Sequence, residues 1–243
     1  MNPTQSSPNQ HLFLTHSPTL HQIVSQMIGE LETLGHKDDT VIALVGDHGW
    51  QLGEHNIWGK HTNFELGARV PLIFHAAGQT QGVKSNSLVE SVDIYPTLAA
   101  LAGLPAPPDV DGNDLSVLMK APETNITTAV FSEYPRCAPV DAGWTPEPGH
   151  ATPQSCVNTA RSNFTVMGYS VRTEDWRATF WMPWIGEKLA ADFTAGPAAV
   201  ELYAHAGDTE SDFDAFENVN VAKSNAAVVA SHLVIAKKQW EKA

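Results

Sequence analysis

Residues 45–61 read Val-Gly-Asp-His-Gly-Trp-Gln-Leu-Gly-Glu-His-Asn-Ile-Trp-Gly-Lys-His and place a carboxylate, an imidazole and an ammonium in one short stretch. Asp47 and His48 are natural metal donors, and Lys60, thirteen positions after Asp47, can fold back to hold an anion beside the metal. That is metal-assisted ester hydrolysis in outline. The apolar run Thr40-Val41-Ile42-Ala43-Leu44-Val45 before them reads as a buried strand. In open α/β sheets ligands bind beyond the carboxyl ends of the strands, which is where Asp47 and His48 fall. Gly46 and Gly49 allow tight turning there.

At Asp47-His48-Gly49-Trp50, continuing through Leu52-Gly53-Glu54-His55, the chain resembles the sulfatase family. The likeness runs on through Trp58, Lys60, Asn63-Phe64 and Arg69-Val70-Pro71-Leu72-Ile73. It recurs at Val92-Asp93-Ile94-Tyr95-Pro96-Thr97-Leu98, Glu133-Tyr134-Pro135-Arg136, Met167–Thr173 and Glu201-Leu202-Tyr203. The resemblance implies an α/β fold: the C-terminal half of an alkaline phosphatase/sulfatase-like sheet with flanking helices, followed by a small α+β subdomain with an antiparallel sheet. It implies a sulfuric ester hydrolase in which Asp47 and His48 bind Ca2+, Lys60 is catalytic, and Lys60 and Trp50 bind a sulfated small molecule or glycan. Taken alone, Trp50 reads as packing, Lys60 as a solvated lysine and Asp47 as a turn residue.

Members of that family carry two adjacent aspartates on an early strand and then Cys-x-Pro-x-Arg or its serine variant, whose first residue becomes the formylglycine nucleophile. Neither precedes Asp47, so no nucleophile is assigned. Cys137-Ala138-Pro139-Val140-Asp141 has the Cys-x-Pro spacing, but an aspartate stands where the arginine is required. The plainer reading of Cys137 and Cys156 is a loop disulfide. The expectation is therefore a sulfatase fragment that is inactive alone and calls on a complementary N-terminal chain. One alternative is a non-catalytic or partner-dependent subunit; another is a zinc phosphodiesterase-like member of the alkaline phosphatase superfamily. His55 and His61 invite a zinc site with His48, but their spacing matches no compact zinc motif.

The 14 basic and 27 acidic residues give a net charge of -13, which argues against nucleic acid as a partner and repels a polyanion unless the site supplies cations. Lys60 and Arg69 are the evident suppliers. No apolar run is long enough for a membrane span, and no signal peptide is recognisable at Met1. Localisation stays open, lysosomal or secreted by family analogy.

Around the site the periodicities predict a helix over 17–34, with Leu20, Ile23, Val24, Met27, Ile28, Leu31 and Leu34 on one buried face. They predict strands at 40–45 and 70–74 and a helix at 89–103 that tolerates Pro96. A proline-rich connection over 104–127 suggests a boundary, giving 1–120 as the catalytic α/β part and 121–243 as the small subdomain. Within the latter, 164–182 reads as a hairpin turning at Thr173-Glu174-Asp175, Val200–Tyr203 as a strand, and 226–242 as a helix. Arg172 and Arg136 read equally as groups reaching over the site and as ordinary ion-pair partners.

Overall fold

Strict alternation along three long strands builds the larger sheet. In the computed structural model, which describes residues 8–79, 81–105, 108–137, 156, 159–208 and 215–241 with side chains from Leu20 onward, these are β5 (Val130–Cys137), β6 (Phe164–Arg172) and β7 (Trp176–Ile185). They pair antiparallel in that order. β7 also pairs with the short β8 (Ala190–Ala191) and with β9 (Ala199–Ala204). The β6–β7 hairpin turns at Thr173–Asp175 as its polar residues predict.

The two faces of this sheet have opposite chemistry. Met167, Tyr169 and Val171 alternate with their partners Met182, Phe180 and Ala178, and with Leu202, to make one apolar face. The helix α4 (Ala226–Trp240) covers it, setting Val229, Leu233, Ala236 and Trp240 at helical spacing against the strands. Trp240 packs on Tyr169 with ring centroids 4.6 Å apart. Phe180, Met182, Leu202 and Val171 are fully buried there, each contributing about 1.5–3 kcal/mol of transfer free energy. The other face carries Gly168, Ser170, Arg172, Arg177, Thr179 and Trp181, of which Ser170, Arg172, Arg177 and Thr179 are buried. Buried polar groups need partners. Glu65 and Glu217 supply them for the two arginines, and the packing of Glu65 here places the site.

The first half of the chain holds two small ribbons. β1 (Ile42–Val45) pairs antiparallel with β4 (Leu72–His75), and β2 (Gln51–Leu52) pairs with β3 (Trp58–Gly59). A single-turn helix α2 (Glu65–Ala68) lies between β3 and β4. The helix α3 (Ile94–Leu101) follows a turn at Ser91–Asp93 in which Glu90 and Asp93 cap one another's backbone. Pro96 therefore sits in the first turn of α3, where a helix has no backbone acceptor to offer an N–H, and no kink follows.

Three expectations are corrected. The strand at 40–45 is not buried: Leu44 and Val45 are exposed, because β1 has one neighbour, β4, and none on its other edge among the described residues. The helix α1 (Pro8–Thr33) starts earlier than position 17, and its apolar stripe is uncovered rather than buried, with Leu20 61% and Met27 65% exposed. Third, β5 and the β2–β3 ribbon were not foreseen as strands. Pro135 in β5 is tolerated because that strand lies at the edge of its sheet. No helix among the described residues is long and apolar enough to cross a membrane.

Cys137 and Cys156 form a disulfide, so Cys137 offers no thiol and the nucleophile reading is excluded. With 19 positions between its ends, the closed loop stabilises the fold by about 3 kcal/mol in the chain-entropy picture.

Candidate functional site

The loop leaving β1 turns back on itself to bring Asp47, His48 and Lys60 together. Lys60 Nζ lies 2.5 Å from His48 Nε2, and Asp47 Oδ2 lies 3.2 Å from the same nitrogen. His48 Nδ1 is 2.9 Å from the Gly49 carbonyl oxygen, which can only accept, so Nδ1 carries the proton and Nε2 presents its lone pair. The ammonium at Nε2 requires the same tautomer. Fixing one ring nitrogen on a carbonyl so that the other is free to bind a cation is the usual arrangement of a ligating histidine.

The donor set fits a cation in part. Asp47 Oδ1 accepts the His48 backbone N–H at 3.0 Å, while Oδ2 and the Nε2 lone pair converge on one space, where they repel unless a cation shares it. Two donors fall short of the roughly six to eight that calcium takes.

Gly49 is required by close approach rather than by turning. A Cβ there would sit 1.9 Å from the Leu66 carbonyl oxygen, and the Gly49 N–H donates to the Gly67 carbonyl at 3.0 Å. Gly49→Ala should push α2 off the loop, destabilise the fold by about 1–3 kcal/mol, and weaken anion binding at Lys60. Denaturant unfolding of the variant beside the wild type checks this, and unchanged stability would contradict it.

Glu54 and His55 are structural. Glu54 Oε2 accepts the Leu52 backbone N–H, and His55 stacks on Phe64 at 4.1 Å while accepting from the Gln51 amide at 2.7 Å. Gly53, at φ 123, makes the ribbon's turn. Leu52 pairs with Trp58 and Gln51 with Gly59, so Trp50 and Lys60 come next in register, on the ribbon face that carries Trp58. Trp50 is 43% and Trp58 39% exposed. Gln51 points the other way and is fully buried.

From His61 onward the chain lies on the polar face of the large sheet. The Asn63 amide donates to the Gly168 carbonyl at 3.0 Å, and Arg136 Nη1 donates to the His61 carbonyl at 3.4 Å. His61 itself is held below the usual histidine range, first by partial burial and then by the positive charges of Lys60 and Arg136. Local positive charge is thus concentrated here on a protein of net charge -13.

Of the expected cations, Arg172 takes the ion-pair alternative and Arg69 is corrected. Arg172 does not reach over the site: its Nε donates to Glu65 Oε1 at 3.0 Å. Arg69 is directed to Asp208, 3.9 Å away. Sequence reasoning also missed the group that anchors α2. Arg177 Nη2 donates to Glu65 Oε2 and its Nε to Glu217 Oε1, both at 2.5 Å. Glu217 Oε2 accepts the Glu65 backbone N–H at 2.7 Å, and His205 Nε2 meets Glu217 Oε1 at 3.1 Å. Burial works to raise the Glu217 carboxyl, yet Arg177, with hydrogen bonds from His205 and the Glu65 N–H, carries it down to about 2. A signal existed in the arginines at buried positions of alternating strands, but their partners lie 40 to 112 positions away.

Among the described residues the group with metal-ligand spacing is Glu65, His205 and Asp208. Arg172 and Arg177 already satisfy both Glu65 oxygens, and their charge opposes a metal there. The zinc reading of His48, His55 and His61 finds no such grouping among the described residues.

Residues 11–104 match the family model described as Sulfatase. Iduronate 2-sulfatase of Mus musculus is 28% identical over 240 residues, covering 80% of this chain and 41% of that protein; the Homo sapiens protein is equally similar. The likeness is thus to the sulfatase family, over residues 11–104 by the family model and over 80% of the chain by the iduronate 2-sulfatases. Arylsulfatase K of Mus musculus is 32% identical over 113 residues, 45% of this chain and 20% of that sulfatase. Among solved structures, a phosphonate monoester hydrolase from Silicibacter pomeroyi aligns with a TM-score of 0.63 at 23% identity, covering 89% of this chain and 38% of that one. A protein in complex with its substrate D-glucosamine-2-N,6-O-disulfate aligns at 0.59 and 19%, covering 90% and 38%. These likenesses give the fold, an α/β sulfatase-like sheet with an antiparallel companion. The chain spans about two-fifths of the length of the iduronate 2-sulfatases.

Proposed function

We propose that residues 40–75 form the sulfate-handling part of a sulfuric ester hydrolase site. In it Asp47 and His48 hold a divalent cation, expected to be calcium, and Lys60 and Trp50 receive a sulfated small molecule or glycan. The observation that carries this is the convergence of Asp47 Oδ2, His48 Nε2 and Lys60 Nζ on one point beside a half-buried cationic surface.

Each group has a task. Asp47 Oδ2 and the His48 lone pair are the donors that would hold the metal, which when bound supplies Lewis-acid polarisation of sulfate oxygens. Lys60 donates to an oxygen of the sulfate and stabilises charge building on the leaving oxygen in the transition state. The Gly49 carbonyl keeps His48 in the tautomer that can do this. Trp50, exposed and adjacent in register, offers a flat apolar surface to the group that carries the ester.

Attack at sulfur needs a nucleophile, and the two cysteines are joined to each other. Hydrolysis therefore draws on a nucleophile and further oxygen ligands from a complementary N-terminal sulfatase segment. The apolar stripe of α1 and the edge of β1, uncovered among the described residues, favour this reading, since such surface is normally covered by a partner. Purified residues 1–243 should not hydrolyse 4-methylumbelliferyl sulfate with or without added calcium. Turnover that a chelator abolishes would overturn the claim that this chain is inactive alone.

A further inference from the structure

The described residues enclose a cavity that the Lys60 loop does not use. It measures about 360 Å3, the size of a small-ligand site, and its walls come from segments 86–88 and 122–128 and from the β6–β7 turn, 173–176. Asp47, His48, Trp50 and Lys60 take no part in it.

The walls are fixed before any ligand arrives. Ser85 Oγ donates to the Pro122 carbonyl at 2.6 Å, and Ser87 Oγ accepts the Ile126 N–H at 3.1 Å, which ties the first two segments together. The Thr173 N–H closes the turn on the Trp176 carbonyl at 2.8 Å, and Arg172 Nη1 donates to the Glu174 carbonyl at 2.8 Å. Thr173 Oγ1 also meets His232 Nε2 at 3.1 Å, which fastens the turn to α4. A cavity held in this way loses little conformational entropy on binding.

Its lining is polar but carries no basic side chain. The side chains of Asn86, Thr124, Asn125 and Thr128 have no hydrogen-bond partner among the described residues, so both donors and acceptors are left for a ligand. Trp176 is partly buried, packed on the apolar core on one side and lining the cavity on the other, so its ring is held in place. Glu123, Glu174 and Asp175 add carboxylates, which accept from hydroxyls and repel anions. A held indole suits the C–H face of a pyranose, while amides, hydroxyls and carboxylates suit its O–H groups.

We infer that this cavity is a second binding site, one that takes an uncharged saccharide and turns away sulfated and carboxylated sugars. Its preference is thus the opposite of that expected at Lys60.

The test is NMR titration of the purified chain with the methyl glycosides of glucose, galactose, mannose and xylose, and with glucose 6-sulfate, followed at the Trp176 indole N–H and the His48 ring. At least one neutral glycoside should give saturable shifts at Trp176 in the millimolar range and none at His48. Glucose 6-sulfate should shift Trp176 with an affinity at least about fivefold lower. Asn86→Ala combined with Asn125→Ala removes two exposed side chains that the fold does not use, and should weaken the neutral sugar about tenfold with an unchanged unfolding midpoint. Silence at Trp176 with all four glycosides overturns the site. So does equal binding of glucose 6-sulfate there, or unchanged affinity in the double variant. The Lys60 reading is untouched by any of these results, since its signal is at His48.

Discussion

Arg177→Met is expected to lower the unfolding free energy by about 3–5 kcal/mol at neutral pH, the cost of leaving buried carboxylates without their cation. Glu65 and Glu217 are both buried, and Arg177 bridges them from the middle of β7. In the wild type the Glu217 carboxyl falls from an ordinary 4.5 to about 2, which corresponds to on the order of 3 kcal/mol of stabilisation. Because the folded-state value lies below the unfolded one, this contribution is full above about pH 5 and is lost as pH falls toward 2. The Arg177→Met penalty should therefore be largest at neutral pH and shrink through that window, as the carboxyls take up protons in the unfolded chain and in the variant. Chemical denaturation of the two proteins at pH 7, 5, 4 and 3 reads this directly. A penalty independent of pH would mean that Arg177 acts by packing and not by charge.

The same cluster explains how a site made of residues near the start of the chain is held by strands near its end. Glu65 opens α2, and α2 backs onto Gly49, whose carbonyl fixes His48. Loosening Glu65 should thus be felt at His48 through two short contacts.

Asp47, His48 and Lys60 were legible because they lie within fourteen residues and their types suit one chemistry; the structure brings all three together. The β6–β7 hairpin and α4 were legible because alternation and helical spacing are local signals. Two kinds of feature were not. Burial of α1 and β1 was inferred from apolar periodicity, which reports what a segment prefers to cover and not whether the covering partner is present. The Glu65–Arg177–Glu217 cluster and the Arg136 contact with the His61 carbonyl span 40 to 152 positions, and no local pattern encodes them. Gly49 was read as a turn residue when its role is to admit a carbonyl, a distinction that only the packing of α2 reveals.

Lys60→Ala is expected to have the largest effect on ligand binding. Lys60 Nζ is at hydrogen-bond distance from His48 Nε2, and Arg136 approaches only the His61 carbonyl, so the ammonium is the group best placed to meet a sulfate oxygen at this point. A charge-assisted contact in a partly buried site contributes about 1.5–3 kcal/mol, so its removal should weaken binding by roughly ten- to a hundredfold. His48 should not replace it, since its Nε2 offers a lone pair and not a proton. The deciding measurement is titration of inorganic sulfate into wild-type and Lys60→Ala protein at fixed ionic strength, followed by the His48 and His61 ring resonances. The wild type should show saturable shifts in both rings that largely disappear in Lys60→Ala; equal sulfate affinity in the two proteins would contradict the assignment of this loop as a sulfate site.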